Sequence, residues 1–255
     1  MKKGIVLVTA MMLFSTGMAY AEIGIDADVT WVSKYIWRGF DKQDDKAAVQ
    51  SSVNFDLGNG FSAQVWTSQP GSSKGGASHS MVDAEEWDYT VTYSNSLWDG
   101  ETYATNYAVS WVYYDYPDRG SKDNDLQEFN IAFAWPDLCP AGVVPYYIYV
   151  CAWGAKGDGL AADNGGFAHV FGLNYGLEVA ELPNPLALGM QLVYNDGCGD
   201  QTVDHDWSHI LWSVKTSFDC GPGTLSPGVY YQTSMEDTVN TEDEFWCGIS
   251  YGFSF

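Results

Sequence analysis

Asp204, His205, Asp206 and His209 form the densest group of metal-capable side chains in the sequence. Imidazoles and carboxylates this close together could hold a divalent cation, or supply a general base to a hydrolytic site. The spaced aspartates and closing glutamate of a calcium loop are absent. No nucleophile elbow or barrel-hydrolase motif accompanies the group. The expectation is therefore no enzyme and no resident cofactor, with a divalent cation at the acid-rich loops as the sharper reading and plain solvated surface as the blander one.

A second set of charges is spread along the chain but shares one parity. Asp26, Asp28, Lys34, Arg38, Asp56, Asp88, Glu128 and Lys215 fall opposite the aromatic positions of their alternating segments, as does Glu22. Six acids against three bases could line a water-filled passage that weakly prefers cations. Ion pairing with neighbouring strands would account for the same residues.

The segments that carry these charges alternate with period 2 from Ile23 onward. Twelve can be counted. The first runs to Arg38 with Ile23, Ile25, Ala27, Val29, Trp31, Tyr35 and Trp37 on one face. Others are marked by Trp87-Tyr89-Val91-Tyr93, by Val144-Tyr146-Ile148-Val150 and by Phe167-Phe171-Leu173-Tyr175, the last with His169 on its apolar face. Tyr147, Tyr149 and Trp246 then point the other way. Short turns such as Gly58-Asn59-Gly60 alternate with longer polar stretches, which is the loop rhythm of an outer-membrane barrel. A charge facing lipid at the bilayer midplane costs about 2–4 kcal/mol for Arg or Lys, so one face of each strand excludes charge.

A soluble barrel with an apolar core would show the same parity. Both ends of the sequence favour lipid. Lys2 and Lys3, the apolar run Gly4–Met18 and Ala19-Tyr20-Ala21 read as a signal peptide over residues 1–21, leaving 22–255 as the mature domain. The alternating segment that stops at Phe255 resembles the C-terminal signature by which outer-membrane proteins meet the barrel assembly machinery. The net charge of −22 repels nucleic acid. The 11 Trp and 17 Tyr suit rings that sit at a membrane interface. Five cysteines (Cys139, Cys151, Cys198, Cys220, Cys247) enter an oxidising compartment, where Cys151, Cys198 and Cys247 lie toward one end and a disulfide among them could tie down a loop.

Three stretches go further: Ser33-Lys34-Tyr35-Ile36-Trp37-Arg38-Gly39-Phe40, Val49-Gln50-Ser51-Ser52-Val53-Asn54-Phe55-Asp56 and Gly60-Phe61-Ser62-Ala63-Gln64-Val65-Trp66. Together they resemble the opening of the TorF-type porin family. The resemblance implies an outer-membrane barrel with a channel role, without catalytic residues to carry over.

The sequence thus predicts an all-β chain, a 12-stranded antiparallel transmembrane β-barrel, with 10 or 14 strands as alternatives. Its expected place is the cell outer membrane, in contact with lipid and lipopolysaccharide. Its expected role is a porin-like channel for passive diffusion of small hydrophilic solutes. A non-conducting structural or adhesive barrel and a rim-site hydrolase are the alternatives.

Overall fold

The computed structural model describes residues 23–71, 84–120, 124–156, 165–199, 202–203 and 205–255. The leader expected at 1–21, together with Glu22 and Asp204, lies outside them. In chain order the strands are β1 (Gly24–Val32), the short β2 (Ile36–Trp37) and β3 (Phe40–Asp41), β4 (Ala48–Gly58), β5 (Phe61–Pro70), β6 (Glu86–Leu97), β7 (Thr105–Asp115) and β8 (Leu126–Ala134). There follow β9 (Val144–Gly154), β10 (Gly166–Leu177), β11 (Leu186–Asp196), β12 (Asp206–Lys215), the short β13 (Phe218–Cys220), β14 (Gly223–Ser234) and β15 (Glu244–Ser254).

All but β2 and β3 pair antiparallel into one wall, in which the short β13, paired with β14, continues the stave of β12. The sheet closes where β1 meets β15, with Ala27 opposite Phe253 and Trp31 opposite Ile249, and β12 pairs with β14 past the β13 extension. The result is a closed 12-stranded antiparallel β-barrel, as the alternation predicts. Gly24 and Ser254 lie at the same end, called lower here. Connections at that end span two to nine residues, and those at the upper end nine to fifteen.

Val29, Trp111, Phe171, Trp212, Tyr231 and Ile249 stand exposed on the outer surface, while Ser52, Thr92, Glu128, Asn130 and Gln232 are buried within. The faces follow from the pleat: residues two apart share a side, and register carries that side across each strand pair. Asp115 alone takes the outward parity among the strand charges assigned from sequence, opposite Trp87 at the upper end of its strand.

Two parts of the wall depart from expectation. In β9 the sides are exchanged. Tyr147 lies opposite Phe133 and Phe171, and Tyr149 opposite Ile131 and His169, so both tyrosines face outward. Val144, Tyr146, Ile148 and Val150 face the lumen instead. Both faces of β9 are apolar in sequence, so its own pattern cannot choose between them; the neighbouring strands do.

The second departure is at the end of β1. The wall strand stops at Val32, and Ser33 is pinned to Cys247 by a pair of hydrogen bonds, backbone N–H to carbonyl (2.8 Å) and Cys247 N–H to Ser33 Oγ (3.0 Å). From there the chain turns inward. Tyr35 and Trp37 keep the sequence alternation but pack inside the barrel, Tyr35 with Val32, Ala48 and Trp66. Trp37 packs with Val112, Tyr114, Tyr116 and Leu126. The upper lumen is thus a small hydrophobic core built around an in-folded segment.

Candidate functional site

The in-folded segment is a two-stranded hairpin, β2 paired with β3 through Trp37 and Phe40. Its tip is Arg38-Gly39, with φ of 48° and 95°. Positive φ at both central residues is the type I′ pattern, whose twist suits a hairpin. An arginine in the left-handed region carries steric strain, which persists only where surrounding contacts hold it.

Those contacts are visible. The Arg38 guanidinium meets the Glu128 carboxylate of β8 through both forks, Nη1 to Oε2 and Nη2 to Oε1. It also lies 4.7 Å from the centre of the Trp37 ring. Gln232 Nε2 of β14 and Asn240 Nδ2 both donate to the Gly39 carbonyl, at 3.0 and 3.2 Å. A Cβ at Gly39 would fall 2.7 Å from Val239 Cγ1 and 2.8 Å from His209 Nδ1, so only glycine fits this tip.

Lys42 follows the hairpin. Its ammonium sits over the rings of Trp37 (5.3 Å) and Tyr116 (5.4 Å). Burial lowers it from the ordinary lysine value, against the opposing pull of Glu86 and Asp88. Tyr116 donates to Glu86 Oε1 at 3.1 Å. At the rim, Lys34 Nζ bridges Asp45 and Glu244, the latter at 2.7 Å. Burial alone would lower the Lys34 ammonium; the hydrogen bonds to Asp45 and Glu244 outweigh this and raise it. Asp41, Asp45 and Glu244 are the carboxylates close enough to share a cation among the described residues, and the ammonium of Lys34 already lies between two of them.

Beneath the hairpin is a cavity of about 280 Å³. Its ceiling is Ile36, Arg38 and Gly39, and Tyr146 and Trp246 form part of its walls. Trp246 stacks on Tyr230 with the rings 9° from parallel and 5.2 Å apart. Below, Lys215 Nζ lies 5.0 Å from the Tyr230 ring and lines a smaller space with Tyr146 and Asn174. A Cβ at Gly172 would strike the Tyr146 ring, so this glycine lets the tyrosine lie flat on the wall.

The charges named from sequence fall into three groups. Arg38, Asp88 and Glu128 gather under the hairpin, where Asp88 Oδ1 is buried with no hydrogen-bond partner among the described residues. Asp26 accepts from Ser254 and Asp28 from Ser52 and Thr30 along the lower wall, while Asp56 binds the Gly58 N–H in the adjacent turn. Lys215 stands apart near the lower end. Lys34 lies at the upper rim. Of the metal-capable group, His205 pairs with Asp196 and is largely exposed, and Asp206 is exposed at the start of β12. His209 instead faces inward, buried, with Nδ1 2.8 Å from Ser208 Oγ. These residues do not converge. The chain's five cysteines are all free: Cys151 and Cys247 lie on strands far apart around the wall, and Cys198 is buried beside Arg38.

Glu86 and Lys42 escaped the sequence reading, and the contacts of His209 and Gln232 with the hairpin were not foreseen. Glu86 shares the parity of Asp88 two residues on, and that spacing was a usable signal. Lys42, His209 and Gln232 acquire their roles only because the hairpin comes to them, which no local pattern announces.

The comparisons agree with this architecture. Among solved structures the chain is similar to the KdgM porin in complex with disordered oligogalacturonate, at 10% identity and a TM-score of 0.52, covering 91% of this chain and 99% of that one. It is also similar to an outer membrane channel from Pseudomonas putida F1, at 10% identity and a TM-score of 0.52, covering 93% of this chain and 97% of that one. At such identities the likeness is one of fold. No curated protein matches the sequence. The model of one family, described as "Bacterial protein of unknown function (Gcw_chp)", matches residues 18–246. Since that match takes in the hairpin and nearly the whole wall, the chain belongs to the Gcw_chp family.

Proposed function

We propose that this chain is a porin-like channel of the cell outer membrane, of the TorF type that its opening motif resembles. It passes small hydrophilic solutes with a weak preference for cations. The observation that carries this reading is a barrel with an apolar outer face around a lumen that holds hydrogen-bonding side chains and a cavity. Gln64 donates to Asn54 at 2.7 Å, and Ser52 and Ser254 to Asp28 and Asp26, which gives β1, β4 and β5 a continuous polar inner face. Lumen acids outnumber bases, which supports cation preference. Residues 1–21 direct export, the barrel assembly machinery inserts the wall, and lipid and lipopolysaccharide surround it.

The hairpin sets the rate of passage because it fills the upper lumen. That same filling favours a second reading, a non-conducting structural barrel. The hydrolase reading has less support, since His209 turns away from His205 and Asp206.

Planar-bilayer recording on the refolded mature protein separates the two. The channel reading expects discrete steps and a reversal potential in a KCl gradient that favours K⁺. It expects larger steps when a Gly-Ser linker replaces Ile36–Asp41. Silence from both proteins, each shown to be folded, overturns it, and an anion-selective potential overturns the cation preference.

A further inference from the structure

One side of the lumen has a chemistry unsuited to water. Val144, Ile148, Val150, Val170, Val193 and Leu211, from β9 to β12, all line the cavity under the hairpin. On these strands Asn174, Gln191 and His209 are the polar part of the lining, while β4 and β5 across the lumen carry Ser52, Asn54 and Gln64 at inward positions. Outward register does not require this difference, because any residue type fits the inward parity of those strands. We propose that the cavity is a binding site for a small neutral molecule with an apolar body and one hydrogen-bond donor, of the size and character of a phenol.

The polar part of the wall selects the head group. Asn130 is buried, and its Oδ1 has no hydrogen-bond partner among the described residues. Its amide nitrogen donates to Ser110 Oγ at 3.5 Å. A buried acceptor left open favours a ligand that donates. The charge at the ceiling is already matched, since Glu128 takes both forks of Arg38. Nothing at this site therefore calls for an anion. His209 Nδ1, another lining residue, is engaged by Ser208 Oγ.

Size and shape agree. Apolar cavities of about 150 Å³ stay dry and hold benzene, so about 280 Å³ accommodates a substituted single ring. Trp246 and Tyr146 flank the space and offer ring faces to an aromatic body. A sugar would leave the valine wall against hydroxyl groups, and a full acyl chain would exceed the volume. The site stands whether or not the bore conducts.

The test uses the full mature chain in lipid nanodiscs, with 4-fluorophenol and fluorobenzene followed by fluorine NMR. The expected result is saturable binding of 4-fluorophenol that unlabelled phenol displaces. Ala132→Phe fills the cavity and abolishes saturation. Asn130→Leu weakens 4-fluorophenol by up to about tenfold, the scale of one hydrogen bond, and leaves fluorobenzene unchanged. Heat-modified gel migration checks that each variant is folded, and Val150→Asn replaces Ala132→Phe if the latter does not fold. Linear partitioning that is the same in wild type and the cavity variant overturns the proposal. So does displacement by glucose as effective as by phenol. Channel steps without saturable binding sink this site and leave the channel reading standing; saturable binding without steps does the opposite.

Discussion

Arg38 and Glu128 lie ninety positions apart in the chain, yet their planar groups face each other fork to fork inside the barrel. This pair joins the tip of an in-folded hairpin to the wall. It is held without help from the wall's strand pairing, because β2 and β3 form a ladder with each other alone.

Removing one partner should free the hairpin. Breaking a buried pair from one side costs about 3–5 kcal/mol, because it leaves the Glu128 carboxylate buried without its partner. Arg38→Ala is expected to raise single-channel conductance and to expose the hairpin to protease while the wall stays intact by circular dichroism. Arg38→Met combined with Glu128→Leu is expected to recover much of the closure. Unchanged conductance and proteolysis in Arg38→Ala would count against a latch role.

Gly39 offers an independent handle. Its positive φ and the proximity of Val239 and His209 leave no room for a side chain. Gly39→Val is expected to lower stability by about 1–3 kcal/mol, read as a lower urea midpoint for unfolding from micelles. A midpoint equal to wild type would show that the tip tolerates rearrangement.

Cys198 provides a chemical reporter. It is buried next to Arg38, and burial pushes its thiol up, away from the reactive thiolate. Maleimide should label the exposed Cys220 first and Cys198 very slowly. In Arg38→Ala the Cys198 rate should rise by about tenfold or more through access alone, since losing the Arg38 charge and hydrogen bond works against ionisation of the thiol. Mass spectrometry after timed quenching reads both sites. Equal rates in the two proteins would place Cys198 outside the hairpin's shelter.

The rim pairing of Lys34 predicts a pH dependence. Its ammonium is raised above the ordinary value of 10.5 in the folded chain. A group raised on folding adds stability that is full below its unfolded value and is lost as pH rises through the folded one. The stability difference between wild type and Lys34→Met should stay flat from about pH 7 to about pH 10 and shrink above that. A difference that grows with alkalinity would reverse the sign and reject the pairing.

The wall was legible in sequence because one face of each strand is apolar and excludes charge. Trp111, Trp212 and Ile249 are outside, as their parity requires, and the polar positions opposite them are inside. The rule fails where both faces are apolar. Tyr146 and Tyr147 are adjacent and alike, and only the cross-strand partners of Tyr147 settle which one leaves the lumen. It fails also where alternation outlasts the strand. Tyr35 and Trp37 continue the pattern of β1, but Ser33 has already turned the chain inward. The metal-capable group was legible only as neighbours in sequence: His209 is buried facing the lumen, while His205 and Asp206 are exposed at the rim. Proximity along a strand end is not proximity in space.

The hairpin's holdfasts come from β8, β14 and the Asn240 segment, which the chain supplies long after Arg38 itself. Gln232 and Asn240 reach their places only once the final staves have sealed the cylinder. Full docking therefore waits for the last strands, and a half-built barrel can hold the tip through Glu128 alone. A fully seated hairpin certifies that the seam has closed.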